Sequence, residues 1–179
     1  MIVLFNKPYG VVSQFSLHKS RPTLSNFIKI PNIYPAGRLD ANSEGLMVLT
    51  DNGNIQYLLS NPQEQKLKTY LVQVEGKINT SHIKLLNEPM NLGDFITLGS
   101  NTKIINPPKW IWPRNPPIRF RKKIPTTWIK IIIIEGKNKQ IRKMTAHVNH
   151  PTLRLIRIKI GSYSLLDNLI PPGKWKKII

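Results

Sequence analysis

Short segments of strand period, broken by helical patterns and closed by turn residues, constrain this chain more than any single residue does. Residues 2–5 form an apolar strand candidate ended by the turn Lys7-Pro8-Tyr9-Gly10. Residues 46–50 read as a second strand, followed by the turn Asp51-Asn52-Gly53. Residues 68–74 alternate, with Tyr70, Val72 and Val74 on one side, and residues 128–135 and 153–160 are β-branched and alternating. Helical patterns fall between these strands. A weak one over 23–30 is closed by Pro31, and a short one marked by Ile55, Leu58 and Leu59 is stopped by Asn61-Pro62. Another opens over 81–86 with Ser81 as its expected N-cap. The last, over 138–148, has Ile141, Met144, Thr145 and Val148 at helical spacing. Strands and helices interleave without a strict βαβ rhythm, which predicts an α+β fold with a mainly antiparallel mixed sheet and flanking helices. At 179 residues the chain is expected to be one domain, 1–179, long enough to bury a core.

Charge indicates the kind of partner. The chain has 27 Lys and Arg against 9 Asp and Glu, a net charge of +18. Residues 106–179 hold 17 of the basic residues and only 2 of the acidic ones. A one-sided field of that size attracts polyanions, of which nucleic acid is the foremost. An anionic membrane would call for an amphipathic basic helix or a lipidation signal, and neither is present. The apolar run 131–134 is far too short to span a bilayer. The N-terminal residues carry no signal-peptide pattern, so a cytoplasmic location is expected. The sequence has no Cys, which excludes disulfide scaffolds and thiolate metal sites. His147 and His150, three apart with no carboxylate beside them, suit packing or phosphate contact rather than a metal.

Candidate chemistry concentrates in Ala-Gly-Arg-Leu-Asp-Ala-Asn-Ser-Glu-Gly at 36–45. Asp40 follows Arg38 by two residues in a loop bracketed by glycines. A guanidinium near a carboxylate favours the ionised form, as a carboxylate nucleophile requires. Most loop aspartates instead cap turns or helices. The stretch 106–125 has a different character, with Pro107, Pro108, Pro113, Pro116, Pro117 and Pro125 around Trp110, Trp112 and Phe120. Arg114, Arg119, Arg121, Lys122 and Lys123 lie among them without an acidic residue. Prolines stiffen such a loop, aromatics stack on bases and cations meet phosphates, so RNA contact is expected here. In Glu135-Gly136-Lys137-Asn138-Lys139-Gln140-Ile141-Arg142-Lys143-Met144, a glycine joins a strand end to a helix. Lys139 and Arg142 are expected to share one helical face while Ile141 and Met144 face the core. In Lys68-Thr69-Tyr70 an aromatic stands on a strand close to a cation.

Taken together and in order, these segments resemble the pseudouridine synthases of the RsuA-like class. The resemblance rests on Asn-Lys-Pro-Tyr-Gly at 6–10, Gly-Arg-Leu-Asp with Ser-Glu-Gly-Leu at 37–46, and Lys-Thr-Tyr at 68–70. It continues through the basic segment at 135–144 and His-Pro-Thr-Leu-Arg-Leu-Ile-Arg at 150–157. Trp-Pro-Arg-Asn-Pro-Pro-Ile-Arg at 112–119 looks like the RluE-type branch, which modifies 23S ribosomal RNA. The resemblance implies the pseudouridine synthase fold with a central catalytic cleft. It also implies a chain that starts at the catalytic domain, without the S4 RNA-binding domain many relatives carry in front.

By position, the resemblance makes Asp40 the catalytic carboxylate. Arg142 would pair with it and keep it ionised, Tyr70 would stack on the target uracil, and Arg38 would bracket the loop. Lys68, Lys139, Arg114, Arg119, Arg121, Lys122 and Lys123 would meet RNA, the last five from the rim of the cleft. Ala41 and Asn42 depart from the residues frequent in relatives, as do Lys137, Lys139 and Lys143, where arginine is common; lysine loses bidentate phosphate geometry. The implied reaction turns a uridine of ribosomal RNA, 23S above all, into pseudouridine, in a monomer needing no cofactor and no metal. Asp40 could add to C6 of the base, attack C1′ or take the C2′ proton, and the residues leave these routes open. Two alternatives to that reading remain: a catalytically silent rRNA-binding or ribosome-assembly factor, and a synthase acting on 16S rRNA or tRNA. An intact Asp40, Tyr70 and Arg142 set favours the enzyme, since a pure RNA binder has no use for an anion facing phosphates.

Overall fold

The computed structural model describes residues 1–168 and 170–178. The chain divides into two compact units, Met1–Lys66 with Ile156–Ile179, and Leu67–Leu155.

The first unit is built on β1 (Ile2–Lys7), every residue of which is buried. β1 pairs antiparallel with β3 (Glu44–Thr50), from Ile2 opposite Thr50 to Lys7 opposite Gly45. The two-residue β2 (Tyr34–Pro35) lies antiparallel on β3, while β3 runs parallel to the unit's part of β7 (Thr152–Ile160) through Glu44 and Ile156. The short hairpin partner β8 (Tyr163–Ser164) folds back on β7, and β9 (Trp175–Lys177) adds antiparallel to the free side of β1. Both faces of β1 and β3 are covered, so these strands read as continuous apolar runs rather than as alternation. Phe5, Leu24, Ile28, Leu46, Met47 and Leu49 fill this core. Helix α1 (Gly53–Ser60) starts at Asn52, whose side chain accepts from the amides of Asn54 and Ile55.

The second unit is an antiparallel sheet of β5 (Asn101–Ile105), β6 (Thr126–Ile133) and β4 (Lys68–Glu75), continued by the first residues of β7. β4 and β6 pair over eight residues, from Lys68 opposite Ile133 to Glu75 opposite Thr126. Val72, Val74, Ile129 and Ile131 bury their side chains with Leu86 of α2 (Thr80–Asn87) and Met144 of α3 (Gln140–His147). A mixed, mainly antiparallel sheet with helices beside it is the α+β architecture the pattern predicts.

The structure corrects three local expectations. The helical pattern at 23–30 yields only a 3-10 turn, Leu24–Asn26. Asn26 turns its side chain back to the Thr23 amide at 2.8 Å, a local bond that competes with helix propagation. α2 is capped by Asn79 and not by Ser81, since Asn79 Oδ1 accepts from the amides of both Ser81 and His82. Lys139 does not share a helical face with Arg142: it precedes α3 at the cap position with φ of 52°.

Candidate active site

The Asp40 loop is held by polar groups from the strands around it. Gly37 and Gly45 both have positive φ, 90° and 100°, at the two ends of the segment. At Gly45 a Cβ would come within 2.3 Å of the Arg157 carbonyl oxygen, so only glycine lets β3 approach β7 there. Between them the Ser43 amide donates to the Asp40 carbonyl at 3.0 Å, closing a tight turn over Ala41 and Asn42. Buried Ser13 clamps the preceding residue. Its hydroxyl donates to the Leu39 carbonyl at 2.6 Å and accepts from the Leu39 amide at 3.2 Å.

Lys7 completes the support from below. Its side chain is wholly buried, and Nζ donates to the carbonyls of Pro8 and Val11, both at 2.9 Å, and of Ala41 at 3.4 Å. The Gly10 amide donates to the same Ala41 carbonyl at 2.7 Å. Burial lowers the pKa of Lys7 to about 7, with Glu44 and Asp40 pulling it back up and Arg157 and Arg21 pushing it further down. The charge state of Lys7 therefore responds to Asp40. Buried Arg157 braces the strand that follows, its Nε donating to the Leu46 carbonyl at 2.9 Å. Asp40 itself is half-buried, and Arg38 is exposed. The loop thus presents one carboxylate while its backbone is fixed at Leu39 and Ala41, the geometry a positioned nucleophile or base needs.

Lys7, Ser13 and Arg157 escape a sequence reading in terms of chemistry. Only Lys7 leaves a trace, a charge closing an otherwise apolar strand just before Pro8.

The other predicted residues lie in the second unit. Tyr70 faces the interior of β4 with 7% of its surface exposed, opposite Ile131. Lys68 is also buried, and its Nζ reaches the Ile134 carbonyl at 3.5 Å. Arg142 is half-buried on α3, and the start of that helix is set by two residues the sequence did not single out. Glu135 Oε1 accepts from Gln140 Nε2 at 2.6 Å and from the Leu98 amide at 2.8 Å, while Gln140 Oε1 accepts from the Lys137 amide at 3.1 Å. In the Pro-rich stretch, Arg114 spends its guanidinium on the carbonyls of Pro116, Pro117 and Leu153 at 2.7 to 3.1 Å. Arg121 pairs with Glu75 at 3.1 Å. Arg119, Lys122, Lys123 and Lys139 are exposed. His150 packs its ring edge-on against His82 and bonds the Glu75 carbonyl at 2.8 Å. Among the described residues no His, Asp and Glu cluster is arranged to hold a metal, and no helix is long and apolar enough to cross a membrane.

Residues 1–147 match the family described as RNA pseudouridylate synthase. This chain belongs to that family, and is thus an RNA-modifying isomerase. Within it the chain is similar to the ribosomal large subunit pseudouridine synthase E of Vibrio vulnificus, 49% identical over 177 residues that cover 99% of this chain and 74% of that one. Similarity to the enzyme of the same name from Xanthomonas campestris is 46% over 178 residues, 98% of this chain and 94% of the other. Among solved structures, one titled as a pseudouridylate synthase superposes with a TM-score of 0.81 at 24% identity, over 99% of this chain and 70% of its own, which shows the shared fold.

Proposed function

We propose that this chain isomerises one uridine of ribosomal RNA, in the 23S molecule of the large subunit, to pseudouridine, with Asp40 as the catalytic carboxylate. The Asp40 loop carries the reading. Its backbone is pinned at Leu39 by Ser13 and at Ala41 by Lys7, so the one carboxylate it presents is held in place before substrate arrives. The E-type names of the two relatives described above support the large-subunit target.

The reaction breaks the N1–C1′ bond of uridine and joins C1′ to C5 of the same base; the C5 proton is lost and N1 gains one, so atoms and electrons balance without an oxidant. The uridine must first leave its stack, at a few kcal/mol. Tyr70 stacks on the extruded uracil, and Arg142 supplies a cation to the same reaction. Asp40 then acts by one of three routes: addition to C6, attack at C1′, or removal of the C2′ proton. Each requires the ionised carboxylate and no metal.

Asp40→Asn tests the assignment. Turnover on 23S rRNA should be lost by several orders of magnitude, while RNA affinity stays the same or rises as a negative charge leaves the phosphates. Residual turnover within about tenfold of wild type would remove Asp40 from the mechanism. Comparing pseudouridines in rRNA from a deletion strain and its parent tests the target: the site that disappears should lie in 23S rRNA.

A further inference from the structure

The Pro-rich stretch does more than carry charge. Between it and the sheet of the second unit lies a cavity of about 260 Å³. Apolar side chains of Ile118, Ile124 and Pro125 wall it, and Phe120 stands at its mouth with 84% of its surface in water. An aromatic so exposed contributes little to the core and leaves a ring face open to stacking. The apolar lining is interrupted by polar groups on the strands. Gln73 Nε2 donates to Thr126 Oγ1 at 3.0 Å, and Glu75 and Arg121, paired at 3.1 Å, line the cavity as well. Arg119, Lys122 and Lys123, all exposed, lie within three positions of Phe120 in the chain, and the whole 106–125 stretch has no acidic residue.

An aromatic face, a hydrogen-bonding edge and a fringe of cations match the three parts of one unpaired nucleotide. The cavity is below the range of drug-sized sites and too small for a helix of protein or a duplex, yet wide enough for one planar ring. Resting on the RNA-modifying reading above, we propose that this cavity is a subsite for a single unpaired RNA nucleotide other than the uridine that reacts. Its base stacks on Phe120 with an edge toward Gln73 and Thr126, and Arg119, Lys122 and Lys123 take the adjoining phosphates.

Phe120→Ala and Phe120→Trp in the full chain separate this from mere charge. The probes are a short single-stranded RNA oligonucleotide and a fully paired RNA duplex of equal length. Because Phe120 is exposed, neither substitution should change the melting temperature. Phe120→Ala should weaken single-strand binding about tenfold, the effect of removing one stack. It should leave duplex binding and the salt slope unchanged, and Phe120→Trp should restore affinity. A dissociation constant within about twofold of wild type for Phe120→Ala on the single strand, or an equal loss on the duplex, overturns the subsite. The binding readout needs no turnover, so the two proposals fail separately. A wild-type chain inert on 23S rRNA with the Phe120 effect intact would refute the function and keep the subsite. An active wild type with no Phe120 effect would do the reverse.

Discussion

Two irregular segments of this chain are held in opposite ways. The 36–45 loop is fixed from within, by a buried ammonium, a buried hydroxyl and a glycine that only fits because it lacks a side chain. The 106–125 stretch is held by Arg114 on three carbonyls, by the Arg121–Glu75 pair and by the Gly76 amide on the Pro125 carbonyl, and it leaves Phe120, Arg119, Lys122 and Lys123 in water. The chemistry proposed for Asp40 needs one atom in one place, which a rigid loop with buried supports supplies. The RNA contact proposed for the second stretch needs many weak contacts whose energy is set by charge and stacking, and these call for little packing beneath them. The contrast predicts that changes beneath the first loop damage stability and turnover together, whereas changes to the exposed side chains of the second alter RNA affinity alone.

Gly45→Ala is the hardest blow to the first loop. The new Cβ would meet the Arg157 carbonyl oxygen at 2.3 Å and the residue would be left at φ of 100°. Strain and forced strand separation together should destabilise by more than about 3 kcal/mol, read from denaturant unfolding, with turnover lost in parallel. A variant as stable as wild type would mean that β3 and β7 have room to part.

Lys7→Met comes next. It strands the carbonyls of Pro8 and Val11, while Ala41 keeps the Gly10 amide, and it also removes a desolvated amine, so a net loss of about 2 kcal/mol near neutral pH is expected. Its pH dependence sharpens the point. Lys7 is lowered from 10.5 to about 7 by burial, against the pull of Glu44 and Asp40. Between those values the unfolded chain keeps a proton that the folded chain has shed, so folding stability rises with pH through this group. Below about pH 7 both states are protonated and the dependence vanishes. The stability gap between wild type and Lys7→Met should therefore widen from pH 7 to pH 10, by at most about 4 kcal/mol. Three carbonyl acceptors favour the ammonium and keep the rise under that bound. A gap that narrows would show that Lys7 stays charged throughout.

Periodicity made the strands and helices legible wherever burial is one- or two-sided over several residues. β1, β3, β4, β6 and β7 all stand where the apolar runs place them, as do α1 and α3. β9 was not legible because Trp175, Lys176 and Lys177 are all exposed, and an edge strand without a buried face has no period to read. β5 follows Gly99 with few buried residues and was missed for the same reason. Asp40 stood out through its motif, but what holds it did not. Besides the local carbonyls of Pro8 and Val11 that Lys7 takes, Lys7, Ser13 and Arg157 each reach a backbone carbonyl 26 to 111 positions away, and a side chain aimed at a distant carbonyl leaves no local pattern. Arg114 shows a second role the sequence left unseen, a cation that also holds three carbonyls of the fold.

Arg114→Ala turns that difference into a measurement. The guanidinium is half-buried and bonded to Pro116, Pro117 and Leu153, so its removal should cost about 1 to 2 kcal/mol of stability. Arg114→Lys should recover little, since an ammonium cannot reach carbonyls in a planar fork. If Arg114→Lys restores both stability and RNA affinity, the guanidinium is serving as a plain charge and the structural role fails.

The mildest change to the fold should be the clearest in RNA binding. Arg119, Lys122 and Lys123 are exposed, while Arg121 is engaged with Glu75 and is left in place. Replacing the three by Gln disturbs nothing buried, so stability should stay within about 0.5 kcal/mol of wild type. Each phosphate deprived of its cation should lower the log–log salt slope by about 0.7 to 0.9, so the triple variant should bind with a slope smaller by about 2. Turnover at saturating RNA should barely change, because Asp40 and the groups that hold it are untouched. An unchanged slope would move the RNA path away from this stretch. A large fall in turnover at saturation would break the division itself, since a loop meant only to capture RNA would then be setting the geometry at the reacting uridine.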